Sequence, residues 1–248
     1  MAARELELEA LREWARLEAR APRALARTRA RHRPSLVAAT LALAAKLLLL
    51  AVLPFVILIR VAVFLYAEQR YAPWLAIVGG VGATLVLVTL YASWLAHKLT
   101  GSLRFWAMAR AVALPLVLAY CGYALAYLSA ANAKSERVRA YYTSLHPLLR
   151  LALSTLILAD RDIVITDLAR GPADYSDMGL ATNHASPHYR QRDGYGHAAD
   201  LRTAGRGEVR NRLVQLYFWI MGFVTLRHVG TADHLHVELP VRAFAAAL

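Results

Sequence analysis

Three apolar stretches, at residues 36–66, 72–96 and 107–130, constrain this chain more than any other feature, because each reaches the roughly 20 residues that a helix needs to cross a bilayer. The composition agrees: 58% hydrophobic residues are too many for an ordinary soluble protein, while 19% charged residues are too many for a chain that is membrane throughout. The sequence therefore divides into a basic amphipathic helical segment, 1–34, a membrane region with three transmembrane helices, 35–133, and a globular domain, 134–248. Lys46 and Arg60 in the first stretch are fourteen residues apart, about 21 Å of helix. They cannot both lie beyond opposite ends of the hydrocarbon, so one snorkels or faces a partner helix.

The formal net charge of +12 invites a nucleic-acid reading, and its distribution argues against one. Residues 1–35 hold nine Arg against five Glu, 36–133 six basic residues against one acidic, and 134–248 fourteen against eleven. The excess lies in and ahead of the apolar stretches, where basic residues orient spans. By that rule the amino-terminal flank and the 97–110 loop (Lys98, Arg104, Arg110) are cytoplasmic and the 68–70 connection is outside. Three spans then deliver the last domain to a periplasmic or extracytoplasmic position. An interfacial hairpin in place of the first span would keep it inside, and Lys134, Arg137 and Arg139 run against export. The amino terminus favours a helix over 4–31, with Leu8, Leu11, Trp14 and Leu17 along one side and Pro22 as a break. It lacks the short basic region and apolar core of a cleavable signal, so export relies on a retained span. The single cysteine, Cys121, allows no intrachain disulfide.

Beyond residue 140 the pattern changes to short elements with turn signals. Pro147 opens an apolar helix through Leu158, Ile163, Val164 and Ile165 form a short buried strand, and Gly171-Pro172 begins a polar loop that runs to about 195. A helix over 208–222 has an uncharged run of only fourteen residues between Arg212 and Arg227, which makes it a core helix and not a fourth span. His234-Leu235-His236-Val237-Glu238-Leu239 alternates at period two, so one strand face carries both histidines and the glutamate while the other buries the aliphatic residues. The architecture expected is an α-helical membrane region followed by a small α+β domain with a largely antiparallel sheet.

Of nine histidines, six fall between residues 184 and 236, together with Asp193, Asp200 and Asp233. Nitrogen and oxygen donors of this kind, brought together on rigid elements, are what a zinc site needs. His184 and His197 read as solvated or structural, and His228 as flanking a strand. Phosphate-loop, dinucleotide-binding, serine-triad and CxxC signals are lacking.

Ser186-Pro187-His188-Tyr189, then Gly196-His197-Ala198-Ala199-Asp200-Leu201, then Asp233-His234-Leu235-His236 resembles the motif set of the zinc D-alanyl-D-alanine peptidases, the L-alanyl-D-glutamate endolysins and the hedgehog amino-terminal domain. The resemblance covers about residues 142–242. It implies that His188, Asp200 and His236 bind Zn²⁺ with a fourth position left for water, that Asp233 takes a proton from that water, that His234 orients or stabilises the oxyanion, and that Arg170 contacts the substrate. One departure stands out. The family places its first histidine and its aspartate seven positions apart, whereas His188 and Asp200 are twelve apart. A five-residue insertion around 190–194 keeps His188 as ligand; without a gap, Asp193 takes its place and gives a harder site.

The activity implied is a membrane-anchored metallopeptidase acting on peptidoglycan stem peptides or cross-bridges, of carboxypeptidase or endopeptidase type. A non-catalytic cell-wall or protein-binding module of the same fold is the alternative, and a structural subunit of a membrane complex is a third.

Overall fold

The computed structural model describes residues 5, 7–16, 35–179, 181–230 and 233–240. The chain forms two units, 1–49 and 50–248. In the first, residues 7–16 are helical and exposed; the remainder of the expected amino-terminal helix, including Leu17 and Pro22, lies outside the described residues.

Among the described residues, three helices are long and apolar enough to cross a membrane: α1 (Leu36–Ala67), α2 (Pro73–Thr100) and α3 (Phe105–Ala126). Only 22–28% of their most apolar windows is buried within the protein, so most of an aliphatic surface faces outward, as a lipid environment requires. Pro73 starts α2 at a position where its missing N–H costs nothing, and Gly101 closes it with φ 73°. Within α3, residues Ala109–Ala113 widen into a π turn just ahead of Pro115, which cannot donate to the helix ladder. Small residues let α1 and α2 approach: a Cβ on Gly80 would come within 2.4 Å of the Leu58 carbonyl and 3.0 Å of Ala62 Cβ.

After α3, a short helix at Glu136–Ala140 leads into α4 (Pro147–Ala159), which His146 caps. Strand β1 (Ile165–Asp167) follows, then a brief helix at Pro172–Asp177, β2 (Ala198–Arg202), α5 (Glu208–Met221), β3 (Val224–His228) and β4 (His234–Glu238). The four strands form one antiparallel sheet in the order β1-β2-β4-β3. Alternation decides its faces. Leu201, Leu235 and Val237 point to the side covered by α4 and α5, where Leu149, Leu153, Val214 and Phe218 complete the core. Asp200, His236 and Glu238 point to the other side.

This core does not stop at the domain. It continues into Leu58, Ile59, Ala62 and Val63 of α1 and Val117, Cys121 and Ala124 of α3. Polar bonds reinforce the junction. The last carbonyls of α3 have no partner within the helix, and the domain supplies one: Tyr142 donates its hydroxyl to Ala124 at 2.6 Å, Ser154 donates to the same carbonyl at 3.2 Å, and buried Arg150 donates to Leu125. Asn132 ties the linker to the sheet, donating to the carbonyls of Arg161 at 2.9 Å and Ile163 at 2.8 Å.

Asn132→Ala leaves the buried Ile163 carbonyl unpaired and removes the donor from the partly exposed Arg161 carbonyl, at a cost of about 2 kcal/mol. The thermal midpoint of the detergent-solubilised protein is expected to fall by several degrees, while Asn132→Asp, which replaces the donor by an acceptor, is expected to fall further.

Candidate metal centre

The site begins with the strand register. In the β2–β4 ladder Asp200 pairs with His236, so the two side chains rise side by side from one face. On β1 the register slips so that Asp167 stands opposite Asp200, and Thr166 donates its hydroxyl to the Asp200 carbonyl at 3.1 Å. The third member comes from a loop. Arg170 N–H donates to the His188 carbonyl at 2.7 Å, and a Cβ at Gly196 would stand 2.8 Å from Ala169 Cβ and 3.2 Å from the His188 carbonyl. Only glycine permits that approach. The loop therefore lies flush against 168–170 and turns the His188 ring over the sheet.

The donor atoms converge. His188 Nε2 is 3.3 Å from both Asp200 Oδ1 and His236 Nδ1, and His236 Nδ1 is 2.8 Å from Asp200 Oδ1. Bonds of about 2.0–2.1 Å to a tetrahedral ion put its ligand atoms about 3.3 Å apart, a separation that two sides of this triangle match and the third, at 2.8 Å, falls short of. The outer bonds set the tautomers as well. His188 Nδ1 donates to the Leu168 carbonyl at 2.6 Å, which turns the lone pair of Nε2 inward. His236 Nε2 donates to Glu238 at 3.3 Å and turns Nδ1 inward in the same way.

Burial by itself would raise the Asp200 carboxyl. In the alternative state in which the inward nitrogens carry protons, hydrogen bonds and charge from His188 and His236 outweigh it and hold the group well below the usual carboxylate range. The His236 imidazole is raised, chiefly by its bond to Asp200.

The spacing between His188 and Asp200 has a structural reason. His197 N–H donates to the Pro187 carbonyl at 2.7 Å, so the loop between them closes on itself. Inside it, Gln191 N–H bonds the Tyr195 carbonyl and Gly194 turns with φ 83°. The intervening residues are thus taken up in a closed loop that leaves His188 against 168–170.

Asp193 goes elsewhere. It accepts from His197 Nε2 at 2.8 Å and lies 3.6 Å from Nε2 of the fully buried His146. His146, Asp193 and His197 are a second set whose donors lie within 4.8 Å of one another, and in it His146 Nε2 and His197 Nδ1 are buried without a hydrogen-bond partner. Leu148 N–H donates to His146 Nδ1 at 3.3 Å, so the neutral ring keeps its proton on Nε2 and has no lone pair to offer there.

The remaining expected site residues divide. His234 shares the cluster face, its Nε2 3.9 Å from Asp200 Oδ2 and its ring stacked 4.6 Å from that of His228. Arg170 borders the cluster, with Nε donating to Asp167 at 2.7 Å, and lines a cleft of about 250 Å³ with Lys134, Tyr141 and Met178. Asp233 is not brought to the cluster. It precedes β4 on the opposite face, where Arg227 donates to both its oxygens at 2.8 and 2.9 Å and Thr203 at 2.7 Å. These bonds hold its carboxyl below the ordinary value, a poor setting for accepting a proton. Of the two supporting groups, the sequence reading placed Glu238 on the histidine face without giving it a role, and the Leu168 carbonyl carries no sequence signal.

No family model, no curated protein and no solved structure matches the chain.

Burial, followed by the charge of His197, pushes the His146 imidazole down to about 3. An unfolded imidazole titrates near 6.5, so between about 6.5 and 3 the unfolded chain binds a proton that the folded chain refuses. Stability is intact above that window and is lost as pH falls through it. Thermal midpoints are expected to drop from pH 6.5 to 4.5, and His146→Asn, which keeps an acceptor for Leu148, to make the slope shallower; an unchanged slope would contradict the assignment.

Proposed function

We propose that this protein is a membrane-anchored, zinc-dependent hydrolase of peptide bonds, and that its substrate is a peptidoglycan stem peptide or cross-bridge. The supporting observation is the triangle of His188 Nε2, Asp200 Oδ1 and His236 Nδ1, with both imidazoles oriented from outside by Leu168 and Glu238. Two imidazoles and one carboxylate suit zinc, and three protein ligands leave a coordination position for water or substrate. Zn²⁺ bound there would supply Lewis-acid polarisation of a carbonyl and a more acidic water.

The chain's own residues then have distinct tasks. Glu238 and the Leu168 carbonyl hold the two rings in register. His234, on the open face beside Asp200, takes the proton-transfer role that the family resemblance would give to Asp233. Arg170, fixed by Asp167 on the wall of the cleft, receives the substrate carboxylate. The three helices cross the membrane in alternating directions, with the domain outside the cytoplasm beyond α3, next to the α1–α2 turn.

A second reading is a binding module of the same hedgehog-like or peptidase-like fold. The commitment of Asp233 to Arg227 and Thr203 favours it, because the expected base is removed from the metal face.

Metal analysis of the purified full-length protein, with cleavage assays on cell-wall peptides, tests both. Stoichiometric zinc is expected, lost in Asp200→Asn and His188→Ala. His234→Ala is expected to keep zinc and to lose about 100-fold or more in turnover. Asp233→Asn is expected to lower stability while leaving turnover within a few-fold. Zinc without turnover would establish the binding module, and absence of zinc would contradict both readings.

A further inference from the structure

Helix α5 is apolar on two faces. Asn211, Val214, Phe218 and Met221 are buried, the spacing of a helix that packs on a core. A second stripe, Val209, Leu213, Leu216 and Ile220, repeats that spacing on the outside and is 46–76% exposed, with Trp219 beside it at 70%. A contiguous apolar strip of this kind needs a cover.

The fold places the carboxy-terminal half of this stripe beside the membrane spans. Gly222 ends α5 with φ 94°, and a Cβ there would lie 2.3 Å from Arg60 Nη1 and 3.1 Å from Val63 Cγ1 of α1. With 32 residues α1 is about 48 Å long and outruns a hydrocarbon core of about 30 Å. Arg60 is exposed and is the one charged residue in the second half of that helix. Its guanidinium marks where α1 leaves the hydrocarbon, since a lone charge settles at the interface. A second attachment gives the same level. Tyr217 donates to the Ala152 carbonyl of α4 at 2.8 Å, and Thr155 of α4 bonds the Tyr120 hydroxyl, six residues before α3 ends.

We propose that Leu216, Trp219 and Ile220 are seated in the headgroup and outer acyl region of the same bilayer that the chain's own helices enter, so that the domain rests on the membrane through α5. Lipid is the occupant because the stripe adjoins the spans at the level of Arg60 and because its most exposed large side chain is a tryptophan, whose amphipathic ring prefers the interface. The seating also bounds the height of the metal cluster. Leu226 pairs with His236, and from Gly222 to Leu226 the chain spans at most about 14 Å, so the cluster lies within about 20 Å of the boundary that Arg60 marks. The inference is independent of whether the cluster is catalytic.

Nitroxide labels at Trp219→Cys and Ile220→Cys, in the full-length chain carrying Cys121→Ala and held in phospholipid nanodiscs, test it. Accessibility to oxygen is expected to exceed accessibility to a water-soluble nickel complex at both positions, with the reverse at Glu208→Cys at the other end of α5. If either label perturbs folding, Leu216→Cys on the same stripe replaces it with the same expected reading. Nickel access at 216, 219 and 220 equal to that at 208 would overturn the proposal. Dipolar broadening between labels on separate chains would overturn it too, by making a second copy the occupant.

Discussion

Everything at the candidate metal centre depends on the register of β2 against β4, because a strand shifted by one residue would send its whole polar set to the core side. The observed pairing sets Asp200 against His236 on one face and Leu201 against Leu235 on the other. The register is therefore guarded by burial: Leu201, Leu235 and Val237 are almost wholly inaccessible, and a one-residue slip would turn them out of the core. The energy that fixes the site comes from the hydrophobic face, and the polar face inherits the geometry. His188 is held differently, through backbone bonds of a closed loop and the absence of a side chain at Gly196, so the site combines a rigid floor with a pinned lid residue.

The same economy governs the junction with the membrane region. A domain on a flexible tether would carry its own sealed core, whereas here the core of 134–248 runs on into α1 and α3. The carbonyls at the end of α3 would be left unpaired at the edge of an apolar environment, and Tyr142, Ser154 and Arg150 of the domain satisfy them. Helix end and domain complete each other, which makes the domain's orientation part of the fold.

Much of this was legible in the sequence, for physical reasons that differ from place to place. The long helices follow from length and apolarity; the observed third one, Phe105–Ala126, begins and ends a little earlier than 107–130 because the chain leaves the helix at Tyr127. Period-two alternation made β4 and its two faces readable residue by residue. Strand β2 was hidden, since Ala198-Ala199-Asp200-Leu201 has no alternation of large apolar residues, and β1 lies two residues later than the 163–165 reading because Ile163 is buried as linker. The convergence of His188, Asp200 and His236 was expected from motif order, while the role of Asp193 could not be: its partner His146 lies far away in sequence, and only its neighbour Pro147 was read, as the start of a helix. Asp233 shows the limit of motif transfer. Its position in the sequence suits a base, yet strand alternation points it at Arg227.

The central claim is that two imidazoles and one carboxylate hold a single metal ion with a position to spare. X-ray absorption at the zinc edge of the purified full-length protein measures this directly. The account predicts a four-coordinate shell of nitrogen and oxygen at about 2.0–2.1 Å with the outer-shell scattering of two imidazoles and no sulfur. A six-coordinate, all-oxygen shell, or a spectrum unchanged by His236→Ala, would contradict it.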